Sequence, residues 1–242
     1  MEAAPATFLA SLVNELECHP VNSNAFFQAI RDRMLTRPQL QAFGRQYYYF
    51  CKNFVKELEG LLYRTPVDLV DMRIELIKTL HSELGGGNPQ RAHIRLLEKF
   101  TTSLDLDEVE LHRTVPIPEV VWYLRLLHRL FIEGDHLTAL GAELAVEITA
   151  GSEFLFLYPG LKQHPDFNED TLIFFKLHLN EEQCHSAWLI DAVHRTARTQ
   201  DDYERVAAGA RETAAGWHRF WGGVHREVFE RAGPTGGGTG GG

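Results

Sequence analysis

Apolar residues recur at helical spacing along nearly the whole chain of 242 residues. The clearest run covers 38–63, where Leu40, Phe43, Tyr47 and Phe50 fall on one broad stripe. Runs with the same period cover 7–17, 24–35, 68–84, 89–103, 105–113, 118–132, 135–149, 152–163, 168–198 and 201–231. No segment alternates polar and apolar residues in the manner of a β-strand. The pattern therefore predicts an all-α protein.

Helix start and stop signals divide this pattern into elements. Thr36 and Pro38 are typical of the cap and the first turn of the helix over 38–63. Three glycines at 85–87 end the helix predicted over 68–84. The chain contains no internal repeat. The sequence predicts one helical domain over 1–232, followed by a flexible glycine-rich tail over 233–242.

Composition excludes several classes of protein. The net charge of −9 disfavours nucleic acid as a partner, because phosphate binding needs a basic surface. Three cysteines are too few for a disulfide-stapled fold and favour a reducing compartment. The first residues lack the pattern of a signal peptide, and no apolar run is long enough to span a membrane. We expect a cytoplasmic protein.

The most specific local motif consists of His178, Glu182 and His185. On a helix these positions share one face, so two imidazoles and a carboxylate project together among apolar neighbours. Burial of these groups is costly unless a cation or hydrogen bonds compensate it. Mixed imidazole and carboxylate ligands suit iron or manganese. The alternative interpretation is a solvated helix face with an ion pair.

Two other segments supply candidate partners. Glu83 and His93 flank the three glycines, where a chain reversal brings distant residues together. Glu147 lies in a small, apolar helical segment, one turn after Glu143, and is expected to point inward. Glu83 as an exposed helix end and His93 as a core histidine remain the simpler alternatives. Together the six residues fit two metal ions better than a single zinc ion.

With these motifs the sequence resembles the haem-oxygenase-like diiron oxidases and oxygenases, relatives of the TenA and PqqC folds. The resemblance covers about 20–225 and includes the aromatic stretch 46–58 within the helical run 38–63. It implies a single-domain helical bundle whose iron ligands are Glu83, His93, Glu147, His178, Glu182 and His185. Glu182 stands where several members of the family have aspartate, which changes the reach of that side chain.

The resemblance also implies a function. Two Fe(II) ions would react with O2 as co-substrate and oxidise a small acid, most plausibly a free amino acid in specialised metabolite biosynthesis. The outcome would be desaturation, cyclisation, C–C cleavage or N-oxygenation. Homodimers are typical of the superfamily, and an external electron donor is compatible with this chemistry. Arg45, Lys52, Arg125 and Arg129 are candidates for holding a substrate carboxylate, although surface charges are the simpler explanation.

A ferritin-like carboxylate site is the main competing scheme. Glu133 with His136, and Glu182 with His185, both form the Glu-x-x-His motif of ferritin-like diiron bundles. Glu98 and Glu147 precede these two motifs at equal distances. This scheme is disfavoured because Gly134 and Asp135 are typical of a helix start, and because it leaves His93 and His178 without a role.

Four further functions are alternatives, and each makes its own demand on the sequence. A haem oxygenase would need an early proximal histidine, for which His19 is the candidate, and a TenA-like hydrolase would need a cysteine nucleophile. A cofactorless oxidase of the PqqC type would not need six ligands. A non-enzymatic all-α scaffold predicts that the six residues bind no metal.

Overall fold

The structure is a computed structural model that describes residues 5–231, except for the side chains of 5–6 and 180–185. All regular elements in this part of the chain are helical, which confirms the all-α prediction. The helices are α1 (Pro5–Glu17), α2 (Ala25–Asp32), α3 (Arg37–Arg64), α4 (Val70–Glu83), α5 (His93–Ser103), α6 (Glu108–His112), α7 (Pro118–His128), α8 (His136–Lys162), α9 (Ile173–Thr196) and α10 (Gln200–Arg226). Short 3₁₀ turns cover Pro20–Ser23 and Pro89–Arg91, and π-helical turns cover Arg129–Glu133 and Glu227–Arg231. The glycine-rich tail lies outside the described residues.

Most helix boundaries follow the sequence signals. Thr36 caps α3, its backbone N–H donates to the Gln39 side chain at 2.9 Å, and Pro38 occupies the first turn. The segments 135–149 and 152–163, expected as two helices, form the single helix α8. Gly151 lies inside this helix without interrupting it, because the buried residues on either side keep one continuous packed surface.

Helix α8 is the centre of the bundle. It packs against α1, α2, α9 and α10, and most of its residues are buried. A helix that is apolar on all sides is stable only when other helices surround it. Three glutamates, Glu143, Glu147 and Glu153, interrupt this apolar helix and are themselves buried. Their burial makes the middle of the bundle the place to look for function.

The contact between α8 and α10 depends on glycine. A Cβ atom on Gly209 would overlap the carbonyl oxygen of Thr138, and one on Gly141 would overlap that of Val206. These glycines therefore let the two backbones approach closely, and the approach positions α8 against the rest of the core. Among the described residues, no helix is long and apolar enough to cross a membrane.

We expect the Gly209→Ala variant to lower the free energy of unfolding by about 1–3 kcal/mol, because the added methyl group meets backbone rather than a movable side chain. Gly222 in the same helix is the matched control, since its nearest neighbour is the flexible end of Arg226 at 3.6 Å. Gly222→Ala should leave stability unchanged or raise it by up to about 1 kcal/mol. Chemical denaturation of both variants measures the difference, and equal losses would contradict the proposed close approach.

Candidate metal centre

The three glycines between α4 and α5 build a tight reversal. Gly85, Gly86 and Gly87 have φ angles of +83°, +62° and +85°, a left-handed conformation that strains other residues. The turn ends α4 through hydrogen bonds from the N–H of Gly85 to Ser82 O and from that of Gly86 to His81 O, both 2.8 Å. Glu83, in the last turn of α4, then faces His93, the first residue of α5.

Glu83 and His93 are in direct contact. The Oε1 atom of Glu83 lies 3.0 Å from Nδ1 of His93, and His93 is only 3% exposed. Burial alone would raise the pKa of Glu83, but the charge and the hydrogen bond of His93, with the charge of His178, outweigh it and lower the pKa. Glu83 is thus held in the ionised form that a metal ligand needs.

His178 approaches this pair from α9. Its Nδ1 atom lies 2.7 Å from the carbonyl oxygen of Phe174, and since a carbonyl only accepts, Nδ1 carries the proton. In the neutral ring the lone pair is therefore on Nε2, which lies 4.0 Å from Oε1 of Glu83. The ring centroids of His178 and His93 are 4.5 Å apart. Fixing the tautomer through the second ring nitrogen is how proteins orient a metal-binding histidine.

Glu83, His93 and His178 form a group of potential metal ligands. One ligand atom from each lies within 4.8 Å of the others, and the surroundings are apolar. The ring of Phe154 stacks on the His178 ring with a centroid distance of 4.5 Å, and that of Phe174 lies 4.2 Å away. One carboxylate and two imidazoles are a donor set that suits iron.

Glu147 lies beside this group on α8. It lines the same cavity as Glu83 and His178 and is buried. One turn earlier, Glu143 is fully buried, and its carboxyl group interacts with that of Glu147. Burial, followed by the charge of Glu147, raises the pKa of Glu143 far above its usual range. Buried acids this close together need a proton or a cation, which is the environment that a metal ion stabilises.

The remaining two predicted ligands, Glu182 and His185, belong to the same helix as His178. Their side chains lie outside the described residues. The assignment of the six residues as iron ligands stays a prediction. The structure brings three of them, Glu83, His93 and His178, together and places Glu147 on the same cavity.

Residues of the competing schemes have other contacts. Glu98 accepts from the Tyr48 hydroxyl at 3.2 Å and from Arg95 at 2.8 Å, and Glu133 is exposed at the end of a π-helical turn. The Nδ1 atom of His19 accepts from the N–H of Val21 at 3.2 Å, which makes it the cap of a 3₁₀ turn. The described ligand group includes none of these residues.

The cysteines offer little support for a hydrolase with a thiol nucleophile. Burial, followed by the charges of Glu153 and Glu83, raises the pKa of Cys51 well above its usual value. A thiol in that state is a poor nucleophile. Cys18 is exposed, and the side chain of Cys184 lies outside the described residues.

Glu153 belongs to the cavity but was not predicted from the sequence. Glu153, which is 1% exposed, lines it together with Tyr47, Phe50, Tyr123 and Trp217. The Tyr47 hydroxyl donates to Oε1 of Glu153. Burial raises the pKa of Glu153 to about 8, although hydrogen bonds from Tyr47 and Trp217 act in the opposite direction. A lone glutamate inside the apolar run after Gly151 is the signal that could have found it.

Residues 41–218 match the model of a family described as iron-containing redox enzymes. The chain belongs to this family. Its membership agrees with the donor set of Glu83, His93 and His178, and it confirms the resemblance to haem-oxygenase-like iron enzymes that the sequence motifs indicated.

Two relatives carry the name 4-aminobenzoate synthase. The protein from Nitrosomonas europaea is 23% identical over 232 residues, which is 92% of either chain. The protein from Chlamydia pneumoniae is 25% identical over 181 residues, 75% of this chain and 79% of the relative.

Solved structures with the same fold confirm the architecture. A CADD-like protein of unknown function from Nostoc punctiforme superposes with a TM-score of 0.75 at 22% identity, over 91% of this chain and 98% of its own. A haem-oxygenase-like domain from Shewanella denitrificans gives 0.70 at 16% identity over 95% and 94% of the two chains. A TenA homologue from Pseudomonas syringae gives 0.72 at 13% identity over 91% and 92%. The predicted haem-oxygenase-like helical bundle is therefore confirmed.

The turn before His93 gives a direct test of the centre. We expect Gly85→Ala to lower iron content and thermal stability strongly, because the new Cβ would overlap the backbone of Asn88 and Ala92 in addition to the strain of its positive φ. Gly87→Ala is the control, since it has a similar φ but no atom within 4 Å of the new methyl group. It should cost about 1–2 kcal/mol and keep the iron. Iron analysis after anaerobic loading compares them, and equal iron content would show that the turn does not position the ligands.

Glu153 predicts a specific pH dependence of stability in metal-free protein. Burial raises the pKa of this group to about 8, so the folded protein binds the Glu153 proton more tightly than the unfolded chain does. The resulting stabilisation of the fold is complete below the unfolded pKa of about 4.3. This stabilisation is lost as the pH rises through about 8, at about 1.4 kcal/mol per pH unit. Glu153→Gln removes the titration, so the variant should gain stability relative to the wild type between pH 5 and pH 9. Urea denaturation across this range measures it, and a constant difference would refute the prediction.

Proposed function

We propose that the chain is an O2-activating oxidase or oxygenase that holds two Fe(II) ions and oxidises a small organic acid of the amino-acid class. The observation that carries the proposal is the buried convergence of Glu83, His93 and His178 within 4.8 Å, in a family of iron-containing redox enzymes. Glu147 on the same cavity, with Glu182 and His185 on α9, would complete two sites. Bound iron would supply the electrons that activate O2.

The residues of this chain prepare the site in three ways. Glu83 presents an ionised carboxylate because His93 and His178 lower its pKa. The carbonyl of Phe174 fixes the His178 tautomer so that Nε2 faces Glu83. Phe154 and Phe174 cover the imidazole and exclude water from this side of the cavity.

The cavity beside these ligands is the natural place for the substrate. It has a volume of about 60 Å³, several times the 10–15 Å³ that one water needs by the same kind of measure. Aromatic side chains from α3, α7 and α10 form much of its wall. The name of the two relatives denotes formation of an aromatic amino acid, which supports a substrate or product of this size and polarity.

The substrate carboxylate would not be held by the basic residues suggested from the sequence. Arg45, Lys52, Arg125 and Arg129 do not line the described cavity. Arg45 lies 3.9 Å from Glu110, and Arg129 pairs with Glu212. These contacts support the interpretation of both arginines as surface charges.

Anaerobic titration of the full chain with Fe(II) tests the proposal. We expect about two irons per chain, with loss of most iron in Glu83→Gln and His178→Gln, because either change removes a ligand from the buried group. Glu98→Gln and His136→Gln serve as matched controls outside this group and should keep the iron. An optical transient after mixing with O2 that one member of an amino-acid panel accelerates would identify the substrate. Iron loss in the control pair alone would instead support the ferritin-like scheme.

A further inference from the structure

We propose that Glu153 binds the amino group of the substrate and is the residue that selects for amine-bearing molecules. This inference rests on the proposed function only in taking the cavity beside the metal group as the substrate site. Glu153 lies six residues after Glu147 on α8, and both line the same cavity. Glu153 therefore faces the space next to the proposed iron ligands without belonging to their group.

The charges of the cavity wall favour a cation. The described lining residues include three carboxyl groups, those of Glu83, Glu147 and Glu153, and one basic side chain, that of His178. Iron would balance Glu83 and Glu147, but Glu153 lies outside the described ligand group. Burial keeps a proton on Glu153 when no cation is present, and an ammonium group would displace that proton and pair with the carboxylate.

The aromatic residues around Glu153 favour the same ligand. Trp217 packs against both Phe50 and Tyr123, with ring centroids 4.8 and 4.9 Å away, and all three residues line the cavity. A carboxylate beside several aromatic faces is a typical site for an organic cation, because the faces carry negative electrostatic potential. An apolar stem attached to the ammonium group would contact the same rings.

Tyr47 and Trp217 hold the Glu153 carboxyl in place. The hydroxyl of Tyr47 donates to Oε1, and the Trp217 indole also forms a hydrogen bond that favours the ionised form. A carboxylate accepts about four hydrogen bonds, so these two donors leave capacity for an ammonium N–H. Glu153 is thus oriented by the fold and still able to bind a donor from the cavity.

Equilibrium binding of three molecules of the same length tests the proposal. The probes are n-butylamine, 1-butanol and butyrate, followed by the fluorescence of the tryptophans and by calorimetry at pH 7. Both metal-free protein and anaerobic Fe(II)-loaded protein are measured. We expect the amine to bind at least ten times more tightly than the alcohol in both forms, and butyrate to bind most weakly in the metal-free protein.

Variants separate recognition from folding. Glu153→Gln still accepts the Tyr47 hydroxyl but has no charge, so it should lose at least tenfold in amine affinity with little change for 1-butanol. Glu153→Asp keeps the charge and should retain a preference for the amine. Glu98→Gln, outside the cavity, should behave as the wild type. Equal amine affinity in wild type and Glu153→Gln, or stronger binding of butyrate than of butylamine to the metal-free protein, would overturn the proposal.

Iron content distinguishes this failure from failure of the proposed function. Protein that loads iron but shows no Glu153-dependent preference for the amine refutes the role of Glu153 and leaves the iron oxidase intact. Protein that shows the preference but holds no iron supports the amine site and refutes the oxidase.

Discussion

The burial of ionisable groups along α8 is the constraint on which the rest of the structure depends. An isolated buried charge costs several kcal/mol, so each carboxyl in the bundle needs a proton, a hydrogen-bond donor or a cation. Glu143 is kept neutral by burial beside Glu147, and Glu153 receives donors from Tyr47 and Trp217. Stability alone would favour apolar residues at these positions. The presence of three acids in the core of α8 therefore indicates that these acids bind a ligand or an ion.

The reversal between α4 and α5 solves the complementary problem of bringing ligands from separate helices to one point. A helix end has limited reach, and Glu83 can meet His93 only if the chain turns back within a few residues. Left-handed φ angles at Gly85, Gly86 and Gly87 make this turn without steric strain. The 3₁₀ turn that follows, capped by the Asn88 side chain at 3.0 Å from the Gln90 nitrogen, sets the start of α5 at His93. Local backbone geometry thus determines the position of two metal ligands.

Much of the fold could be predicted from the sequence because helical period and capping are local properties. The start of α3 at Thr36 and the end of α4 before the glycines are examples. The single helix α8 was predicted as two, since the effect of Gly151 depends on burial of its neighbours, which the local pattern does not show. The pair of Glu83 and His93 was predicted from residue chemistry and resemblance rather than from periodicity. Glu153 escaped prediction because its role depends on Tyr47 and Trp217, which are distant in sequence.

Glu83, Glu147 and Glu153 line one cavity. In such a low-dielectric space, a cation bound to some of these acids reduces the cost of ionising the others. Iron bound to Glu83, His93 and His178 would therefore favour the ionised form of Glu153, which is the form that attracts an ammonium group. The two cations also repel each other directly. The balance of these effects determines whether substrate and iron bind cooperatively, and each changes the affinity for the other by the same factor. For a free amino acid, an orientation with its amine at Glu153 and its carboxylate toward the iron ligands gives the most favourable pairing at both ends.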